Sequence, residues 1–286
     1  MRYTLRDMQQ AFPDDDACLH FLFRARFRNL VACPKCGVEK PNYYKVKKRT
    51  AYACGDCGHQ LYPLAGTIFE KTTTPLTLWF HAIYLLSVSK NGVSAKELER
   101  QLGVSYPTAH RMAKQIRLLM LERGRLGRLG TPIEIDEAYI KGRGKKSHNY
   151  HDRSTPVLAA VEVGGQVRTQ VVERADLKTA MPFIKANVYQ GSTIHTDESK
   201  IYKQVKMYYQ HESVRHIAHE YVKNGVTTNH IEGFFGQLKR SVDGTFHAVS
   251  PYYLSSYVAE FAYRYNHRNE AVPIFSLLLE KASTRL

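Results

Sequence analysis

The chain has 286 residues, of which 43% are hydrophobic and 11% aromatic, so it is long enough to bury a core and to form two or three domains. Its 41 Lys and Arg residues outnumber 26 Asp and Glu residues, and the net charge of +15 predicts a polyanionic partner, most often nucleic acid. A ribosome-associated or merely basic protein is the alternative. No run of about 18 apolar residues and no signal-peptide core is found, so we expect no membrane span and a cytoplasmic protein with reduced thiols.

Four of the five cysteines form two CxxC pairs, CPKCG and CGDCG, with 17 residues between them: Cys33, Cys36, Cys54 and Cys57. This spacing is typical of a four-cysteine zinc site, and Gly37 and Gly58 permit the tight turns that such pairs need. The alternating aromatic and basic residues between the pairs predict a hairpin, and hence a zinc ribbon. Because four thiolates fill a tetrahedral shell, we expect structural Zn²⁺, with redox dithiols as the alternative. Cys18, in an apolar run, is predicted to be a core residue.

Residues 75–122 are predicted to be helical. Apolar periodicity indicates a first helix that begins at Pro75, and Ser94 can cap a second helix with Glu97 completing a capping box. A Gly-containing turn leads to a third helix over about residues 105–121, so the last two helices predict a helix-turn-helix. A packing module with a solvated basic face is the alternative. The candidate DNA contacts are Ser105, Tyr106, Thr108, His110, Arg111, Lys114 and Arg117.

After a Gly-rich linker, residues 132–245 alternate predicted strands and helices. On the first strand, PIEIDEAYI, the side chains of Glu134 and Asp136 point to one face. A basic loop, a hairpin, a helix, a buried strand that ends at Asp197 and a weaker strand near residues 213–219 follow. This order is the topology of a ribonuclease H-like domain, in which the first and fourth strands are neighbours. We therefore expect the Asp136 and Asp197 carboxylates to converge.

Converging carboxylates repel each other unless a cation joins them, and oxygen ligands select Mg²⁺ or Mn²⁺. Two such ions could activate a water or a 3′-hydroxyl and stabilise the leaving oxygen of a phosphodiester. Taken singly, Asp136 could be a surface strand residue and Asp197 a helix cap. Glu134 and Glu137 also leave open which carboxylate of the first strand is the ligand.

Five segments together resemble a known family: IEIDEAYIKG, IHTDESKIY, TTNHIEGFFGQLKR, GTFHAVSPYYL and EFAYRYNHR. They resemble prokaryotic insertion-sequence transposases with an N-terminal zinc ribbon, the DDE-type enzymes of the insertion sequence 1595 (ISXO-like) family, over nearly the whole chain. The resemblance implies that water nicks the element's ends and that the freed 3′-hydroxyl attacks target DNA. It also implies that Asp136 and Asp197 are the first two acidic residues of a site that uses Mg²⁺ or Mn²⁺.

The third acidic position falls in TNHIEGFF, where the resemblance leaves Glu232, Asn229 and His230 as candidates. Glu232 follows Asp197 after 34 intervening residues, a typical gap for the family. On a helical wheel at about 100° per residue the apolar stripe is predicted to be buried, and Asn229, Glu232 and Lys239 share the neighbouring stripe. We therefore expect Glu232 to be the third metal ligand. Asn229 is expected to assist it from one turn earlier and Lys239 to contact phosphate, while His230 is a minor candidate.

The sequence thus predicts a multidomain α+β protein with a zinc ribbon over residues 1–70, a helix-turn-helix over 71–125 and an α/β ribonuclease H-like catalytic domain over 131–286. The expected partners are double-stranded DNA, as element ends and target, and further copies of the chain on that DNA. The alternatives are a non-catalytic DNA-binding regulator derived from a transposase, and another ribonuclease H-like nuclease. A last set of basic and polar residues could touch phosphates or form a solvated helix end: Arg264, Asn266, His267 and Arg268.

Overall fold

A computed structural model of the chain describes residues 3–127, 130–142, 154–213 and 228–284. Within these ranges the chain is a mixed α and β structure that divides into two compact units. Unit 1 contains Met1–Ser89, Val93–Leu119 and Glu270–Leu286, and unit 2 contains Lys90–Gly92 and Met120–Asn269. None of the described helices has the length and hydropathy needed to cross a bilayer.

The helical part of unit 1 is built from α1 (Leu5–Ala11), α2 (Asp15–Phe27), α3 (Leu76–Val88), α4 (Ala95–Leu102), α5 (Tyr106–Leu119) and α9 (Ile274–Ser283). Local side-chain caps explain where several of these helices begin. The Asp14 carboxylate accepts the Ala17 backbone N–H, and the Ser94 hydroxyl accepts that of Glu97. The helices enclose an aromatic and aliphatic core that includes Phe80, Trp79 and Ile83.

The helix pair α4 and α5 has the predicted capped start and glycine turn. Gly103 ends α4 in the left-handed conformation, with φ of 65°, which costs glycine little. The Glu97 carboxylate bonds Arg100 and Gln101, whereas the sequence predicted that it would complete a capping box. Arg117, predicted as a DNA contact, is buried and donates to the Val93 carbonyl at 3.2 Å, so that prediction is wrong.

The remaining part of unit 1 is a small antiparallel sheet of β1 (Tyr43–Lys45), β2 (Tyr52–Cys54) and β3 (Gln60–Leu61). Tyr43 pairs with Cys54, so the β1–β2 hairpin lies between the two cysteine pairs, as the alternating sequence predicts. The Phe23 ring of α2 stacks on Tyr52 with centroids 4.1 Å apart. The hairpin is therefore tied to the helical core by aromatic packing.

Unit 2 contains a five-stranded sheet of β4 (Ile133–Lys141), β5 (Ser154–Glu162), β6 (Val167–Val171), β7 (Thr193–Thr196) and β8 (Gln210–Ser213). The strand order is β6-β5-β4-β7-β8, with β4, β5 and β6 antiparallel and β4, β7 and β8 parallel. The first and fourth strands are therefore neighbours, as predicted. Two predicted segments lie mostly outside the described residues. Only Ser213 of the weaker strand predicted near residues 213–219 is described, and only the start of the basic loop 141–153 is described.

Helices cover both faces of this sheet. Helix α6 (Leu177–Asn187) packs on the face that bears Ile133 and Ile135, whereas α7 (Asn229–Ser241) and α8 (Pro251–Asn266) pack on the face that bears Ala138 and Ile140. A short turn of π-helix, Val242–Phe246, follows α7. Strand β5 is buried from Val157 to Val161, as expected of a strand covered on both faces.

The polar residues at the end of α8 contact the protein itself. The Asn266 amide accepts the Val167 N–H at 2.7 Å and donates to the Val167 carbonyl at 3.2 Å, so it pairs with edge strand β6 much as another strand would. His267 and Asn266 both bond Glu122. Arg264 forms an ion pair with buried Glu260. The Arg268 guanidinium carbon lies 3.8 Å from the centroid of the Tyr265 ring. These residues therefore bond within the protein, while Arg268 remains exposed to solvent, and contact of this helix end with phosphate stays a prediction.

The domain limits differ from the predicted ones at the C-terminus. The predicted range of 131–286 includes α9, but this helix packs on α2, α3 and α5 and belongs to unit 1. Its buried Phe275 ring meets Phe12 and Tyr84 edge to face. The predicted ribbon range and most of the predicted helix-turn-helix range also fall within this same unit, whereas residues 90–92 and 120–125 belong to unit 2. Sequence order alone does not reveal that a C-terminal helix returns to an N-terminal core.

Candidate functional site

The four cysteines of the two CxxC pairs come together in unit 1. Their Sγ atoms all lie within 4.8 Å of one another, and those of Cys33 and Cys57 are 3.7 Å apart. A tetrahedral zinc with bonds of about 2.3 Å would place its sulfurs about 3.8 Å apart, so the geometry fits Zn²⁺. Gly37 and Gly58 have φ of 72° and 67°, as the tight turns require.

Backbone N–H groups favour a thiolate at Cys33, whereas burial and the neighbouring thiols raise the pKa of Cys36 and Cys54. The backbone N–H groups of Cys36 and then Lys35 lower the pKa of the Cys33 thiol to about 6. Cysteine side chains would fill all four coordination positions of the zinc ion. No position is left open for a substrate, so the site is structural. Cys18 is fully buried in α2 and lies outside the cluster, as predicted.

Asp136 lies in the middle of β4, the central strand of the unit 2 sheet. Burial raises the pKa of its carboxyl to about 7, opposed by the Glu137 backbone N–H that bonds it at 2.8 Å. The negative charges of Glu137, Asp197 and Glu232 raise this pKa further. One adjacent side chain and side chains from two distant stretches of sequence thus act on the Asp136 carboxyl group.

Asp197 and Glu232 reach this site from different elements. Asp197 follows the last residue of β7, the strand beside β4, and its carboxylate accepts the Ser199 N–H at 3.0 Å. Glu232 lies exposed in the first turn of α7 and accepts a hydrogen bond from the Thr228 hydroxyl. The cysteines are the one tight ligand group found in the described residues, so the carboxylates form a looser cluster.

Glu134, two residues before Asp136, is a site residue whose role the sequence did not predict. Its side chain is fully buried, with Oε1 2.9 Å from His230 Nδ1 and Oε2 accepting the Ile231 backbone N–H at 2.9 Å. Glu137 has a partner as well, because the Tyr202 hydroxyl donates to its Oε2 at 2.6 Å. Of the three acidic residues on β4, Asp136 is the one that is not bonded to a side chain of another element in the described residues.

The face of α7 agrees with the helical wheel. The predicted apolar stripe is buried at Ile231, Phe234, Phe235, Leu238 and Val242. Asn229, Glu232 and Lys239 are exposed, and the three atoms nearest to a Cβ added at Gly236 all belong to the Arg240 side chain. His230 is part-buried and directed to Glu134, so it lies apart from the stripe that carries Glu232.

The candidate DNA contacts on α5 differ in accessibility. Ser105, Tyr106, Arg111 and Lys114 are exposed, and Thr108 and His110 are half-buried. The Arg111 guanidinium lies 5.8 Å from the Trp79 ring centroid and donates to the Glu70 carbonyl at 3.4 Å. Most of the predicted basic and polar face is therefore open to a ligand.

Two family models match the chain: the transposase zinc-ribbon domain over residues 13–60 and the ISXO2-like transposase domain over residues 128–266. A zinc ribbon followed by a DDE transposase domain defines a class of insertion-sequence transposases. Both models describe IS1595 proteins, and together they match well over half of the chain. The chain therefore belongs to the IS1595 transposase family, as its motifs indicated.

A relative from a transposable element agrees with this assignment. An uncharacterized protein in transposable element ISH50 of Halobacterium salinarum is 27% identical over 253 residues, which are 81% of this chain and 84% of that protein. A chain in the cryoEM structure of the simian T-cell lymphotropic virus intasome in complex with PP2A regulatory subunit B56 gamma is similar at 12% identity and a TM-score of 0.34. That match covers 63% of this chain and 66% of the other, just under two thirds.

Proposed function

We propose that this chain is the DDE transposase of an insertion sequence, which cuts the ends of its element and joins them to target DNA. The observation that carries the proposal is the placement of Asp136 on β4, Asp197 at the end of the neighbouring strand β7 and Glu232 in the first turn of α7, near enough for the last two charges to raise the pKa of Asp136. Membership of the IS1595 family supports the same function. We also propose that unit 2 has the ribonuclease H-like fold, which the order β6-β5-β4-β7-β8 supports.

The residues of the carboxylate cluster fit a divalent cation. Three carboxylates from β4, the end of β7 and α7 share one region, and their mutual repulsion would be relieved by a hard cation. Asp136, Asp197 and Glu232 would hold Mg²⁺ or Mn²⁺, which when bound activates a water or 3′-hydroxyl and stabilises the leaving oxygen. Asn229 and Lys239 lie exposed on the same helix, where Lys239 would contact a DNA phosphate and Asn229 would orient the substrate.

Helices α4 and α5 would supply the DNA contacts of unit 1 as a helix-turn-helix. Their capped and glycine-linked geometry and the exposed face of α5 support this assignment. The residues we propose to contact DNA are Ser105, Tyr106, Thr108, His110, Arg111 and Lys114. The net charge of +15 supports binding to a polyanion. Because both ends of the element must be bound and cut, we propose that several copies of the chain assemble on the DNA.

Cleavage and joining of the element's own terminal repeats test the function. Purified protein with Mg²⁺ or Mn²⁺ is expected to nick a duplex that carries these repeats and to join the freed 3′ end to a second duplex. Asp136→Asn and Asp197→Asn should abolish both steps while leaving DNA binding intact, and Glu173→Gln, at an exposed carboxylate of unit 2, should retain them. Wild-type joining by either Asn variant would refute the catalytic assignment. Cleavage without joining would indicate a nuclease, and binding without cleavage a regulator.

The third ligand is tested by comparing Glu232→Gln with Asn229→Ala. Loss of a metal-binding carboxylate removes several kcal/mol of transition-state stabilisation, so we expect Glu232→Gln to slow cleavage on the order of a hundredfold or more. Asn229→Ala should have a smaller effect. The reverse order of the two effects in a single-turnover cleavage assay would assign the ligand to Asn229.

A further inference from the structure

Strand β4 carries three acidic side chains within four residues, and two of them are bonded to the segments that bring the other cluster members. Glu134 contacts the first turn of α7, which carries Glu232. Glu137 contacts Tyr202, in the 3-10 turn Lys200–Tyr202 that follows Asp197. The two contacts therefore flank Asp136 in the sequence and join β4 to both of the other sources of carboxylate.

The contact at Glu134 replaces a missing helix cap. Thr228, which precedes α7, makes no side-chain hydrogen bond to the helix backbone, and the first N–H groups of any helix need partners. The Glu134 carboxylate accepts one of them, from Ile231, and its negative charge lies at the positive end of the helix dipole. Because a carboxylate oxygen only accepts, the His230 Nδ1 donates the second bond. Both oxygens of a fully buried side chain are thus committed to α7.

The contact at Glu137 fixes the other segment. Tyr202 is one of the largest fully buried side chains in the described residues, so its hydroxyl is held in place by packing. Its bond to Glu137 is charge-assisted and short, at 2.6 Å. Only four residues separate Asp197 from Tyr202, so this bond limits how far the backbone at Asp197 can move relative to β4.

We propose that Glu134 and Glu137 are positioning residues that set the separation of the carboxylates around Asp136, Glu134 by holding α7 and Glu137 by holding the turn after β7. This inference rests on the proposed divalent-cation site. Mg²⁺ accepts oxygen ligands only at about 2.0–2.1 Å in near-ideal octahedral geometry, whereas one residue of helical slip moves a side chain by about 1.5 Å. A shift of that size at Glu232 or Asp197 would remove a ligand.

Affinity for Mn²⁺, measured by the electron paramagnetic resonance signal of the free ion on zinc-loaded full-length protein, tests the inference. Replacement of groups that orient metal ligands weakens metal binding about 10–100-fold, so we expect losses in this range for Glu134→Gln and Tyr202→Phe. Gln at 134 presents one acceptor to two donors, and Phe at 202 presents no donor to Glu137. Glu173→Gln is the matched surface control.

Amide hydrogen exchange in metal-free protein separates this inference from the proposed function. Glu134→Gln should accelerate exchange in the first turn of α7, and circular dichroism should show that the variant remains folded. If Asp136→Asn loses Mn²⁺ binding while Glu134→Gln and Tyr202→Phe bind like wild type, the positioning role is refuted. If wild type binds no Mn²⁺, the proposed function fails, and unchanged exchange in α7 would refute the Glu134 contact as well. If Glu134→Gln does not fold, Tyr202→Phe decides the inference alone.

Discussion

Asp136 differs from its acidic neighbours in how its charge is balanced. Glu134 and Glu137 each bond a side chain of another element, which offsets the cost of burying them. The Asp136 carboxylate accepts one backbone N–H and is surrounded by further negative charge, so its ionised form is disfavoured. Electrostatic destabilisation of this kind is expected where a protein holds a charged side chain ready for a ligand at the expense of its folding stability.

The first prediction is that Asp136→Asn stabilises the metal-free protein at pH 8. Between the ordinary carboxyl pKa of 3.8 and the folded value of about 7, the unfolded chain releases the proton and the folded chain keeps it, so stability falls as pH rises through this window. Asn resembles the protonated acid, and the gain at pH 8 is at most about 4 kcal/mol, taking about 1.4 kcal/mol per pKa unit. The gain should shrink at pH 5.

Urea unfolding at both pH values, in buffer free of Mg²⁺ and Mn²⁺, measures this effect. Glu173→Gln changes an exposed carboxylate to an amide and should leave the unfolding free energy unchanged at either pH. A loss of stability in Asp136→Asn at pH 8 would mean that the carboxylate is favourably balanced in the folded state. The predicted role of like-charge repulsion would then be wrong.

Among the elements, the three-stranded ribbon sheet depends most on its metal. Its strands have three, three and two residues, which is too little to stabilise an independent sheet. Its fold is therefore expected to depend on Zn²⁺ bound by the four cysteines. The helical half of unit 1 has its own core and caps, so it is less dependent on the ion.

The second prediction compares two buried cysteines of unit 1. Cys54→Ser removes a ligand and should reduce bound zinc and expose the hairpin to proteolysis, because the zinc affinity is a large part of the ribbon's folding free energy. Cys18→Ala should retain full zinc content, since Cys18 lies outside the cluster. Zinc content by atomic emission and limited proteolysis measure the two effects. Equal zinc loss in both variants would contradict the assignment of ligands.

The third prediction concerns helix α5. Lys114→Ala should weaken binding to all DNA sequences and reduce the slope of log affinity against log salt by about one, as expected for loss of one phosphate contact. Arg6→Ala, which removes a charge of the same sign from exposed α1, is the control. Fluorescence anisotropy at several salt concentrations measures both variants. An unchanged salt slope in Lys114→Ala would exclude a phosphate contact at this position.

Features set by neighbouring residues could be predicted from the sequence, and features set by distant ones could not. The cysteine pairs, the Ser94 cap and the buried stripe of α7 each depend on spacing within a short segment, and all are confirmed. Burial of Arg117 depends on tertiary packing that periodicity does not report. The bonds from Glu134 to residues 96 and 97 positions later could likewise not be predicted.

On the scale of the whole molecule, the first and the last described segments of the chain belong to the same unit. Unit 2 is almost continuous in sequence, whereas unit 1 is assembled from segments on both sides of it. The last of these segments contributes α9, whose Phe275, Leu278 and Leu279 are buried against α2, α3 and α5. Unit 1 therefore cannot complete its core until the C-terminal residues have been synthesised.

The fourth prediction follows from this arrangement. Deletion of residues 270–286 should unfold unit 1 and leave unit 2 folded, because burial of each large side chain of α9 stabilises by about 1.5–3 kcal/mol and a domain is stable by only about 5–15 kcal/mol. The milder Leu278→Ala should cost about 2–5 kcal/mol in unit 1, and Val272→Ala, at a 48%-exposed position of the same segment, should cost little. Calorimetry combined with zinc content distinguishes the units, since only unit 1 carries the cysteines. If the truncated protein kept its zinc and both thermal transitions, α9 would not be part of the unit 1 core, and the domain limit predicted at residue 131 would extend to the C-terminus after all.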